Sequence, residues 1–151
     1  SLTHLSAPGG RGREAMKAAG ILPSFRGVAV HDAWSGYFSF TECSHSLCGA
    51  HLLREGAALK ERFDEEGVWS EPILSWLRAT KRRAESGCAG EPQELVGHLR
   101  ALVGRAYRSL GLSPPDSDRK SACPKELTSR IRWLDRLWFY AAEVVRFGWD
   151  L

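Results

Sequence analysis

The sequence predicts an α/β fold, with a short αβ core over residues 1–51 followed by a mostly α-helical region over residues 52–151. Three observations lead there. The run Gly27-Val28-Ala29-Val30-His31-Asp32 sets β-branched residues in a short apolar stretch bounded by Gly and Asp, the pattern of a buried strand. Strand, helix and strand signals follow one another before it ends, the order of a parallel αβ arrangement. From Leu52 onward, apolar residues recur at three- and four-residue steps, which is helical spacing.

The elements are expected in the following order. Leu2 to Ala7 reads as a strand, ended by the turn Pro8-Gly9-Gly10. Arg13 to Ala19 reads as a short helix closed by Gly20, since glycine readily takes the left-handed conformation that ends a helix. Val28 to Asp32 forms the buried strand, and Ser46 to Ala50 is expected to add another short one. Leu52, Leu59 and Phe63 share one face of the next helix. Trp69, Ile73, Trp76 and Leu77 mark a second, with Ser70 as N-cap and Pro72 in the first turn. Pro92 opens a third, whose stripe is Leu95, Leu99, Leu102, Val103, Ala106 and Leu110. The segment Gly111 to Cys123, with Pro114 and Pro115 inside it, breaks the pattern. A last helix is predicted to run unbroken through Leu127, Ile131, Leu134, Trp138, Ala141 and Val145.

Composition narrows the class. At 43% hydrophobic residues the chain can bury an ordinary core. A formal charge of +3 permits nucleic-acid binding without requiring it. The cations fall in groups: Arg11, Arg13, Lys17 and Arg26; Arg78, Lys81, Arg82 and Arg83; Arg130, Arg132 and Arg136. Each group is also what the solvated face of a helix looks like. Four cysteines at irregular spacing, with no N-terminal apolar run, argue against a secreted disulfide scaffold. No apolar stretch reaches the ~20 residues of a membrane-spanning helix. The expected compartment is the reducing cytoplasm. Ser1 in place of Met, and an end straight after a helix pattern, make both termini read as cuts.

Candidate chemistry centres on Asp32. An Asp just past a buried strand lies at the sheet edge, where open α/β folds place their ligands, and its oxygens suit a hard cation such as Mg²⁺. On its own such an Asp is as readily a turn residue. Cys43, His45, Cys48 and His51 put four potential zinc ligands within nine residues. Structural zinc sites usually draw on two separated pairs, so a buried Cys and a hydrogen-bonded His at a strand–helix junction is the preferred reading. His31 should face away from Asp32 if the strand is extended. It is either packed and hydrogen-bonded or part of a site. Trp34, Tyr37 and Phe38 read as core or helix-packing residues, with stacking on unpaired bases as the alternative.

The run Val28-Ala29-Val30-His31-Asp32-Ala33-Trp34-Ser35-Gly36-Tyr37-Phe38 resembles the segment around the second catalytic aspartate of insertion sequence 66 family transposases. Upstream, Arg11-Gly12-Arg13-Glu14-Ala15-Met16 and Gly20-Ile21-Leu22-Pro23-Ser24-Phe25-Arg26-Gly27 are similar to the helix and turn that lead into that strand. Downstream, His45-Ser46-Leu47-Cys48-Gly49-Ala50-His51-Leu52-Leu53-Arg54-Glu55 resembles the family's His-x-Leu-Cys-x-Ala-His-Leu-Leu-Arg-Glu signature. Leu134 to Phe147 is similar to the long helix that precedes the family's last catalytic glutamate.

The resemblance implies a partial ribonuclease-H-like core followed by a helical insertion, and Mg²⁺- or Mn²⁺-dependent DNA cleavage and strand transfer in the intact protein. Of the implied three carboxylates only Asp32 is matched. The first aspartate would lie before Ser1 and the glutamate beyond Leu151, so the chain alone is expected to be inactive. His31, Cys48 and His51 would form the framework beside Asp32. Arg54, Arg82 and Arg83 are candidates for contact with DNA phosphate. Implied partners are transposon-end DNA, a second copy of the protein and other element-encoded proteins, with no membrane; zinc is not expected. A core lacking its opening strands would leave an unpaired edge and a tendency to self-associate. Two departures from the family stand out: Gly56, where an apolar residue is usual, costs about 1 kcal/mol of helix stability against Ala, and Trp138-Phe139-Tyr140 replaces a charged stretch. Gly148-Trp149 also breaks the expected end of the last helix. The competing readings are a stand-alone basic DNA-binding or protein-interaction module and a small zinc-stabilised domain.

Overall fold

The computed structural model describes residues 12–88, 90–116 and 125–149. Helix α1, Arg13–Ala18, stops where Gly20 turns to φ 76°, a left-handed conformation that ends helices. A 3₁₀ turn over Leu22–Ser24 leads into strand β1, Val28–His31. Strand β2, Ser44–Leu47, pairs with it in parallel, Val28 opposite Ser44 and His31 opposite Leu47. Parallel strands need a crossover of about a dozen residues, and residues 32–43 supply it, with a 3₁₀ turn at Tyr37–Ser39. The predicted strand Leu2 to Ala7 and its Pro8-Gly9-Gly10 turn lie outside the described residues.

The second strand sits earlier than the sequence pattern placed it. Ser46 to Ala50 was expected as strand, but the chain leaves the sheet at Cys48. The Cys48 amide donates to the His31 carbonyl at 2.8 Å, the last bond of the ladder, while its own carbonyl accepts from His51 and Leu52. Cys48 is thus both the strand end and the N-cap of α2, Gly49–Phe63.

Four further helices follow: α3, Glu71–Glu85; α4, Pro92–Ser109; α5, Thr128–Phe139; and α6, Ala141–Val145. The apolar stripes close on one core. Ile73, Leu99, Val103, Trp133, Leu134 and Val144 are fully buried in it, and Leu47 of the sheet joins the same cluster. The α2–α3 turn is organised by a residue that the helical spacing did not single out. Ser70, expected as a side-chain cap, makes no such bond. Instead the buried Asp64 carboxylate accepts from the amides of Val68 at 2.8 Å, Trp69 at 3.2 Å and Ser70 at 2.8 Å, and from the Ser70 hydroxyl at 2.6 Å. One side chain ends α2 and holds the unpaired donors at the start of α3.

The last helix is broken where it was predicted to run on. Tyr140, at φ −107° and ψ 34°, separates α5 from α6. The break aims Tyr140 at the β1–β2 crossover, where its ring stacks on Phe38 with centroids 4.6 Å apart. It also brings α6 onto β2: the Ser46 hydroxyl donates to the Glu143 carbonyl, and Arg146 Nε donates to the His45 carbonyl at 2.8 Å. The chain from Arg146 to Gly148 is a 3₁₀ turn.

Gly56 has a packing reason. A Cβ built on it would lie 2.5 Å from Trp133 Cζ2 and 2.7 Å from Leu74 Cδ2. The Trp133 indole lies flush on the α2 backbone there and donates Nε1–H to the Leu52 carbonyl at 3.1 Å. The glycine that weakens α2 as a helix is what lets α3 and α5 close on it.

Candidate functional site

The carboxyl end of β1 sets the geometry. Alternation along the strand buries His31, at 5% exposure, and turns Asp32 to solvent, as expected for neighbours on an extended chain. Ala33 then adopts φ 68°, a left-handed conformation that is unfavourable for a non-glycine residue by roughly 1–2 kcal/mol. Two side chains hold the backbone in that turn. The Ala33 amide donates to His31 Nδ1 and the Trp34 amide to Asp32 Oδ1, both at 3.1 Å. The Asp32 carboxylate is therefore fixed through one oxygen at an exposed strand end.

Behind it runs a directional hydrogen-bond chain. His31 Nε2 lies 3.1 Å from His45 Nδ1, and His45 Nε2 lies 3.1 Å from the Phe40 carbonyl. The amide at one end can only donate and the carbonyl at the other can only accept. With both rings neutral, the protons then sit on Nε2 of each. Burial holds the His31 imidazole below the usual histidine range; His45 acts in the same direction and Asp32 opposes them. Tyr37 stacks on His31 at 4.7 Å, and Phe38 meets it edge-on at 4.8 Å. Through Phe38 and Tyr140, and through Arg146 on the His45 carbonyl, the helices brace this turn.

The predicted residues distribute unevenly around that centre. Cys48 is adjacent, bonded by its amide to the end of β1. It is half-buried, and His51, in the first turn of α2, is exposed. The expected buried Cys and bonded His are instead Cys43, whose thiol donates to the Phe40 carbonyl, and His45. Among the described residues, no group of three or more His, Cys, Asp or Glu side chains is arranged to hold a metal ion. Trp34, read as core, keeps 39% of its surface exposed. Arg54, Arg82 and Arg83 are exposed. Glu55 does not pair with its neighbour Arg54 but takes a two-pronged bond from Arg136, both arms at 2.8 Å. The bond between His45 and His31, and the Ala33 turn, were not anticipated from the sequence. With the register known, alternation sets His45 on the same face as His31, one step away across the pair.

A family model described as Transposase IS66 family covers residues 7–131. That span includes both strands, α1 to α4 and the start of α5, well beyond the motif-bearing segment. No curated protein and no solved structure matches the chain.

Proposed function

The chain belongs to the IS66 family of transposases, and from that premise we propose that it contributes Asp32 to the carboxylate set with which the intact enzyme binds Mg²⁺ or Mn²⁺ and cuts and joins transposon-end DNA. The observation that carries the reading is the exposed Asp32 carboxylate at the end of β1, one oxygen tied to the Trp34 amide and the adjoining turn held by His31. A fixed, solvent-facing carboxylate oxygen is the donor a hard divalent cation takes. One such group is not a complete site, and the described residues offer no further set of ligands. The remaining carboxylates are assigned to parts of the enzyme outside this chain, and the chain alone is inactive. In the complete site, metal ions supply positive charge to the attacking and leaving oxygens of displacement at phosphorus. What this chain's residues do is present Asp32 at a set angle, through the His31–His45 bond chain and the aromatic packing of Tyr37, Phe38 and Tyr140. Arg54, Arg82 and Arg83 are exposed cations available to DNA phosphate.

Two measurements test it. Titrating Mn²⁺ into the 151-residue chain should broaden the backbone amide signals of Ala33 and Trp34, and Asp32→Asn should remove that broadening. Equal broadening in both proteins would withdraw Asp32 as a ligand. Purified chain should give no Mg²⁺-dependent nicking of plasmid DNA. Nicking abolished by Asp32→Ala would overturn the inactivity of the isolated chain.

A further inference from the structure

Trp34 is a large aromatic residue left in the open beside the proposed metal-binding carboxylate, at 39% exposure. It is also held in place. Its amide is bonded to Asp32 at 3.1 Å, so ring and carboxylate share one turn. The indole rests on Gly36 so closely that a Cβ there would lie 1.8 Å from Trp34 Cζ3. Tyr37 meets the ring edge-on, with centroids 5.7 Å apart. The left-handed Ala33 lies between the two residues, so a strained backbone is maintained where it exposes an indole instead of burying one. A rigid, supported, solvent-facing ring is a stacking surface, and every nucleobase has a π-face to offer it.

The surroundings favour nucleic acid as the occupant. Tyr37 also lines an apolar hollow with Ile21, Phe25, Val28 and Val30, among which Ile21, Phe25 and Val30 are exposed. The chain leading to Asp32, residues 12–31, carries Arg13, Lys17 and Arg26 against a single acid, Glu14. Arg26 is open to solvent and only loosely paired, 3.9 Å from Glu42. The hollow reaches Trp34 through Tyr37, and the exposed Arg26 follows its wall residue Phe25 in the chain, so one segment offers both an apolar stacking surface for bases and positive charge for phosphates.

We infer that Trp34 is a stacking platform for an unpaired DNA base next to the phosphodiester that faces Asp32. The position of that phosphodiester rests on the function proposed above; the affinity of Trp34 for unpaired bases does not. A base stacked there would hold the strand in register with the carboxylate and favour frayed or unpaired ends over intact duplex.

The test measures binding of fluorescein-labelled oligothymidylate, and of a duplex of equal length, to the whole chain by anisotropy at low salt. EDTA is present, so failure of the metal assignment leaves the result unaffected. Trp34→Ala and Trp34→Leu should weaken single-strand binding about tenfold or more, while Trp34→Phe stays within about threefold of the parent. Duplex binding should change little, and thermal melting establishes that each variant folds. The inference fails if the parent chain does not bind oligothymidylate. It fails also if Trp34→Leu binds as tightly as the parent, if a folded Trp34→Phe loses as much as Trp34→Ala, or if duplex binding falls in step.

Discussion

Gly56→Ala sets two effects of opposite sign against each other at one position. Helix propensity alone favours the change, because Ala in a helix interior is better than Gly by about 1 kcal/mol. Packing opposes it. The new methyl would sit 2.5 Å from Trp133 Cζ2 and 2.7 Å from Leu74 Cδ2, both far inside van der Waals contact. Neither neighbour can step aside easily, since both side chains are fully buried and the indole is tied to the Leu52 carbonyl. Overpacking of this kind costs about 1–3 kcal/mol, and pulling the indole off its acceptor adds about 1 kcal/mol. The net expectation is a destabilisation of roughly 1–3 kcal/mol. For a chain of this size that lowers Tm by about 3–9 °C. Calorimetry of Gly56→Ala against the parent reads it directly. A double-mutant cycle with Trp133→Phe, which removes the benzo ring from over Gly56, should make the methyl far less costly. An increase in Tm for the single variant would show that propensity wins and that the indole does not rest on this glycine.

Two further predictions concern the α2–α3 corner. Asp64→Ala deprives three amides and a hydroxyl of their acceptor at a buried turn. It should cost about 2–4 kcal/mol in urea unfolding, with Ser70→Ala costing about 1 kcal/mol; equal losses from the two would move the capping role to Ser70. Glu71 has its pKa lowered from 4.5, first by the hydrogen bond from Lys60 Nζ at 2.7 Å and then by that from the Ser75 hydroxyl. A carboxyl depressed in the folded state adds stability above its unfolded pKa and loses it as pH falls through the folded one. The stability gap between the parent and Glu71→Gln should therefore hold at neutral pH and close below pH 4.5. Because the pair is about one-third exposed, the gap should stay under about 1 kcal/mol; a gap that does not change with pH would exclude the ion pair as its source.

Helical faces were legible because burial imposes a period on sequence. Leu52, Ile73, Leu99 and Ile131 were each marked as facing inward, and each is buried. The start of α4 at Pro92 was legible for a local reason, since proline lacks the amide that the first turn cannot use anyway. The αβ character of the first half was readable from Val28–His31, and the exposure of Asp32 opposite His31 from strand alternation alone. What stayed hidden depends on partners distant in sequence. Gly56 reads as a defect until Trp133 is brought onto it, and Tyr140 reads as mid-helix until Phe38 offers it a ring to stack on.

The same distinction separates the Asp32 carboxylate from its setting. The resemblance named His31, Cys48 and His51 as the framework beside Asp32, and the bonds that hold the turn carrying Asp32 run through His31, His45 and Ala33. His45 joins the other two only once β1 and β2 pair in parallel, and the pair is braced by Tyr140 and Arg146 from the far end of the chain. The helical half is then part of the scaffold for that carboxylate, because it closes the aromatic stack that keeps His31 dry. Removing α6 should release the crossover even though no residue of α6 lies beside Asp32 in sequence. The break after Phe139, unexpected in a regular helix, is what allows the chain to reach back.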